Sequence, residues 1–112
     1  MLKVTFEKNE TGISLMVKGH AGQAEIGNDI ICSACSILAY TVAQFVKNAE
    51  AEGDLNFPPH IYLESGDAIV SCSPTKEAYD TIYGVYLFAS VGYKLLAHNF
   101  PQYVEIKQFG TE

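Results

Sequence analysis

Positive charge is scarce in this 112-residue chain: seven lysines and arginines stand against thirteen aspartates and glutamates, for a formal net charge of −6. So acidic a surface repels phosphate backbones, which argues against a standing nucleic-acid partner and favours a basic peptide or protein segment. No opening run has the positive-then-apolar layout of a signal peptide, and no apolar stretch is expected to reach membrane-spanning length. Neither export nor a membrane partner is therefore expected. Cysteine is also sparse. Three residues, an odd number without an export signal, argue against a disulfide framework and for the reducing cytoplasm. Repeats and low-complexity segments are absent. With 48% hydrophobic and 18% charged residues, the chain is expected to fold as one domain over residues 1–112 around a single modest core.

The periodicities alternate between those of strand and helix. Leu2, Val4 and Phe6 alternate with polar neighbours, as do Ile13, Leu15 and Val17, with Asn9-Glu10-Thr11-Gly12 between them as a turn. From Ile31 to about Glu50 the period becomes helical, and Cys35, Leu38, Val42, Phe45 and Ala49 form an apolar stripe. A second hairpin follows, from Ile61 and Leu63 through Ser65-Gly66-Asp67 to Ala68, Val70 and Cys72. Ser73-Pro74 reads as the N-cap and first position of a second helix. Its stripe is Tyr79, Ile82, Tyr86, Ala89, Tyr93 and Leu96, with Asn99 as a left-handed stop before Pro101. The tyrosines on that stripe are most simply core, and would also suit a subunit interface or a peptide groove. Val104 and Ile106 give a last strand. The order ββαββαβ predicts an α+β domain with two helices packed on one face of a largely antiparallel sheet.

Chemistry concentrates between the first hairpin and the first helix. His20 ends a strand, a glycine-punctuated segment containing Gly22 and Gly27 follows, and Cys32 is expected at the mouth of the helix. A histidine is a base near neutral pH, and a helix N-terminus favours an anionic thiolate while offering unpaired N–H groups to an oxyanion. These are the requirements of a cysteine nucleophile. Asp29 is placed to cap the helix or to orient His20. On pattern alone, a buried structural cysteine and a hydrogen-bonded histidine explain the same residues. Cys32-Ser33-Ala34-Cys35 also has the spacing of a redox pair, but a hairpin precedes it where a βαβ unit is usual, and Cys35 falls on the apolar stripe. A zinc site would need His60, Cys72 or His98 to join His20, Cys32 and Cys35, and no second ligand pair supports one. His60 and His98 read as structural.

At these positions the chain resembles the ribosomal-processing cysteine protease family, Prp. The family pattern is carried by Gly19-His20-Ala21 and by Gly27-Asn28-Asp29-Ile30-Ile31-Cys32-Ser33-Ala34-Cys35-Ser36. The resemblance implies that Cys32 is the nucleophile and His20 its general base and acid. Gly19, Asp29 and Ser36 would support the site, and the loop from Gly22 to Asn28 would cover the substrate. It further implies a cytoplasmic homodimer, needing no metal or other cofactor. Its task would be to remove a short N-terminal extension from a large-subunit ribosomal protein, cutting after phenylalanine. Cys35 stands where the family usually has a small apolar residue, and is expected to be a buried, inert thiol. A non-catalytic ribosomal-protein binding module and a thiol oxidoreductase using Cys32 and Cys35 are the competing readings.

Overall fold

Alternation in the first nineteen residues produces the hairpin it predicts. Strands β1 (Leu2–Asn9) and β2 (Gly12–Gly19) pair antiparallel with Asn9 opposite Gly12. The Asn9 carboxamide oxygen closes the turn by accepting from the Thr11 and Gly12 backbone N–H groups at 2.8 and 3.0 Å. The structure, a computed structural model, describes residues 1–19, 26–64 and 66–108, and of residues 26–29 the backbone only. The remaining elements are α1 (Ile26–Ala51), β3 (His60–Glu64), β4 (Asp67–Cys72), α2 (Tyr79–Asn99) and β5 (Val104–Lys107).

The five strands form one sheet in the order β3-β4-β2-β1-β5. All neighbours are antiparallel except β1 and β5, which run parallel because α2 carries the chain back across the sheet. Both helices lie on the face that presents Leu2, Val4, Phe6, Ile13, Leu15, Val17 and Val70, all buried. Alternate residues such as Lys3, Glu7 and Lys18 point to the other face and stay exposed. This is the α+β arrangement expected from the element order.

Helix α1 contributes Ile31, Cys35, Ala39, Val42, Ala43, Val46 and Ala49 to the core. By length and composition its Ile30–Ala51 segment could cross a membrane, contrary to the expectation that no stretch would. One side of that segment packs in the core, while Ile30 and Ile37 are exposed on the other.

Three boundaries differ from the sequence reading. Helix α1 begins at Ile26, five residues before Ile31, and takes in Gly27 and Asn28. Poor helix formers are tolerated there because first-turn N–H groups lack intrahelical acceptors anyway. Helix α2 begins at Tyr79, not at Ser73-Pro74. The Ser73 hydroxyl accepts from the Asn56 side chain at 3.0 Å, Pro74 makes an isolated bridge with Leu55, and Thr75 caps a single turn by accepting from the Ala78 N–H at 3.2 Å. At the other end no non-glycine residue takes a left-handed conformation among the described residues. Asn99 stays helical, its side chain donates to the Leu95 carbonyl at 2.9 Å, and Pro101 bars continuation.

Two tyrosines anchor α2. Tyr86 and Tyr93 are both fully buried. The Tyr86 hydroxyl donates to the Val70 carbonyl of β4 at 3.0 Å, and that of Tyr93 donates to the Cys35 carbonyl of α1 at 2.8 Å. Tyr93 also meets Phe6 edge-on, with ring centroids 5.9 Å apart. Replacing Tyr86 with Phe should lower stability by about 1–2 kcal/mol, seen as a lower urea midpoint with an unchanged slope. Tyr62→Phe, on an exposed ring, should leave the midpoint in place.

Candidate active site

The end of the sheet where β1 starts and β2 stops is lined by residues that sequence reading assigned to separate elements. Gly19, the last residue of β2, has φ of 98°, a left-handed conformation that suits glycine. A Cβ there would run into the Met1 carbonyl oxygen. Its N–H donates to the Gly66 carbonyl at 2.9 Å, which ties the end of β2 to the turn of the second hairpin. Gly66 also has a positive φ, 77°.

Above this corner passes α1, and between them lies a cavity of about 270 Å³. Cys32, Cys35, Ser36, Ala39 and Tyr40 line it from the helix. Leu2, Val17 and Ala68 form an apolar floor from the sheet, and Glu64, Gly66 and Asp67 form its rim with Gly19. Cys32, Ser36 and Gly19 thus line one cavity. His20 follows Gly19 directly in the chain but lies outside the described residues, as does Gly22. The Asp29 side chain is likewise outside the description.

The early start of α1 corrects the picture of a thiol at a helix mouth. Cys32 lies beyond the first turn, so the unpaired backbone donors belong to the residues from Ile26 onward, in the turn before it. They are not the donors expected beside the thiol. Asp29 lies within the helix and is not its N-cap. Gly27 and Asn28, expected in the covering loop, are helical, so only residues 20–25 separate β2 from α1.

All three thiols are free, and their surroundings differ. Cys32 is half-buried and open to the cavity. Cys35 is 3% exposed, and burial pushes its thiol up to about 11, with the neighbouring Cys32 adding to the effect. Cys72 is buried on β4, 3.6 Å from the Tyr86 hydroxyl, and burial raises its pKa too. Among the described residues, no three histidine, cysteine, aspartate or glutamate side chains gather as metal ligands would. His60 and His98 are exposed, at the start of β3 and in the last turn of α2.

Sequence reasoning missed the second hairpin's share of the site. Ser65-Gly66-Asp67 was legible as a turn, with Ser65 outside the described residues, but the place of Gly66 and Asp67 beside Gly19 depends on the pairing of β4 with β2, where Lys18 lies opposite Asp67. Lys18 Nζ donates to Asp67 at 2.6 Å on the exposed rim. Tyr40, 52% exposed, carried no signal beyond helical spacing.

The model of the family "Cysteine protease Prp" matches residues 1–105. The chain belongs to that family. It is accordingly a cysteine protease, and the free, cavity-lining Cys32 is consistent with Prp membership. No curated protein matches the chain. Among solved structures, SMU.848 from Streptococcus mutans is similar at a TM-score of 0.69 and 24% identity, over 97% of this chain and 94% of that one. The essential ribosomal processing protease Prp from S. aureus, in complex with a substrate peptide, is similar at a TM-score of 0.66 and 17% identity, over 96% and 99% of the two chains. The same S. aureus protease, with a covalently linked product peptide, gives the same values. At these identities the structures share the fold.

The different surroundings of the thiols give a direct test. Iodoacetamide at pH 8 should alkylate Cys32 at least about tenfold faster than Cys35 or Cys72, because alkylation needs an accessible thiolate. Peptide mapping during the time course reads the order. Equal rates at Cys32 and Cys35 would contradict the placement of these thiols.

Proposed function

We propose that this Prp-family protease removes a short N-terminal extension from a large-subunit ribosomal protein, cutting after phenylalanine, with Cys32 as nucleophile and His20 as general base and acid. The observation that carries this reading is the cavity lined by both the free Cys32 and Gly19, the residue preceding His20. The S. aureus relative, named a ribosomal processing protease and crystallised with substrate and product peptides, supports the substrate class.

In the proposed reaction His20 takes the Cys32 thiol proton, and the Cys32 sulfur attacks the scissile carbonyl carbon. His20 protonates the departing amine, the C–N bond breaks, and an acyl-enzyme remains on Cys32. His20 then takes a proton from water, whose oxygen displaces the sulfur and frees the new carboxylate. Asp29, no longer needed as a cap, is assigned to orienting His20, and the Ser36 hydroxyl to supporting the site one helical turn beyond Cys32. The floor of Leu2, Val17 and Ala68, with Ala39 facing it from α1, suits an apolar side chain such as phenylalanine on the acyl side of the cut. Glu64 on the rim suits a basic segment beyond it, whereas Asp67 is already paired with Lys18. The segment over residues 20–25, with Gly22, is assigned as the cover. No metal or organic cofactor enters the reaction. Free thiols at all three cysteines fit a cytoplasmic location.

We also assign the outer faces of the two helices to a homodimer. Phe88, Val91 and Leu95 recur on one side of α2, with Phe88 83% exposed, and Ile37 and Tyr40 are exposed on α1. Exposed apolar residues of this kind suit an interaction surface that two copies would bury against each other.

Wild type, Cys32→Ala and His20→Ala should be compared on a peptide spanning the expected cleavage site, with mass spectrometry reporting the products. Wild type should cut after phenylalanine, and each variant should lose about 10³-fold or more in rate while remaining folded. An uncut peptide bound equally by all three proteins would leave a binding module instead. For the assembly, sedimentation equilibrium of wild type should give twice the 12.2 kDa chain mass, and Phe88→Asp combined with Val91→Asp should give the monomer.

A further inference from the structure

We propose that Cys35 is a resolving thiol: a hydroperoxide that oxidises Cys32 leads to a reversible Cys32–Cys35 disulfide in place of irreversible loss of the nucleophile. As a safeguard of catalysis this rests on Cys32 being the nucleophile. The thiol chemistry itself does not.

Cys32 and Cys35 are three residues apart on α1, so they are neighbours on one side of the helix. Both line the same cavity, which places their side chains on a common space and not on opposite faces. Helical neighbours at this spacing have Cβ atoms about 5–6 Å apart. A disulfide needs about 3.5–4.5 Å, with Cα atoms within about 4.4–6.8 Å. Closure therefore asks for a local shift on the order of 1–2 Å, and the cavity gives the sulfur atoms room to make it. The Cys35 backbone is held by the Tyr93 hydroxyl at 2.8 Å, so the adjustment falls on the turn that carries Cys32. Cys72 is on β4, with its thiol against Tyr86, and is not among the cavity residues.

The two thiols also differ in the way such a pair requires. Cys32 is open to small solutes, whereas Cys35 is 3% exposed and shielded from them. A hydroperoxide thus meets Cys32 first. The Cys32 sulfur takes the distal oxygen as the O–O bond breaks; the peroxide is reduced, leaving as water or alcohol, and Cys32 becomes a sulfenic acid. The Cys35 sulfur then attacks the Cys32 sulfur. The S–S bond forms, the S–O bond breaks, and the hydroxyl leaves with the Cys35 proton as a second water. A small dithiol reverses the step by thiol–disulfide exchange.

The full chain, treated with a small excess of hydrogen peroxide and then alkylated under denaturing conditions, tests this. Lys18 and Lys47 bound a tryptic fragment, residues 19–47, that contains Cys32 and Cys35 but not Cys72. In wild type this fragment should lose about 2 Da and take up no alkylating agent, and dithiothreitol should restore both thiols and peptide cleavage. In Cys35→Ala and Cys35→Ser it should instead gain about 32 Da, which dithiothreitol does not remove. Wild-type fragment carrying an over-oxidised Cys32 beside an alkylated Cys35 would overturn the proposal. Reduced wild type that fails to cut the peptide, yet shows the 2 Da loss on oxidation, would sink the proposed cleavage reaction and support the thiol pair.

Discussion

A buried tyrosine hydroxyl must find a partner or forfeit the free energy of desolvating it, and α2 meets that demand twice on different sides. Tyr86 reaches back to Val70 in β4, and Tyr93 reaches across to Cys35 in α1. These bonds fix α2 against the sheet and against the first helix together. The turn of α1 that carries Cys32 is thereby set over the corner where β2 ends. A hydrophobic contact alone would permit small slides between the helices, whereas a hydrogen bond within the core specifies one register.

The sheet supplies the other half of the site through strand pairing distant in sequence. β2 lies between β1 and β4, so its last residue, Gly19, has the chain start on one side and the second hairpin's turn on the other. Glycine is needed there because the backbone is left-handed and the Met1 carbonyl leaves no room for a Cβ. The chain leaving this point runs into His20. A pinned strand end is thereby set beside the turn of α1 that carries Cys32.

Much of the fold was legible because it rests on local periodicity. The two hairpins, both helices and the final strand follow from alternation at two and recurrence at three and four. The Gly-His and Asp-Ile-Ile-Cys pattern pointed to the family from local residues as well. The helix starts were not legible. Gly27 and Asn28 are weak helix formers, and Ser73-Pro74 has the form of a cap, yet in each case neighbouring structure decided the boundary. Asn56 uses the Ser73 hydroxyl, and that residue comes from a loop seventeen positions earlier.

The sequence by itself determined the element order, the one-sided apolar faces and the Cys32–His20 motif, since each is a property of neighbours along the chain. Only tertiary structure decided that Cys32 lies inside the helix and not at its mouth. It also decided that Glu64, Gly66 and Asp67 border the cavity, and that Cys35 is at once buried core and cavity wall. These depend on long-range strand pairing and on how far a helix extends once its face is packed. Both are set by contacts between residues far apart in the chain, which local pattern does not encode.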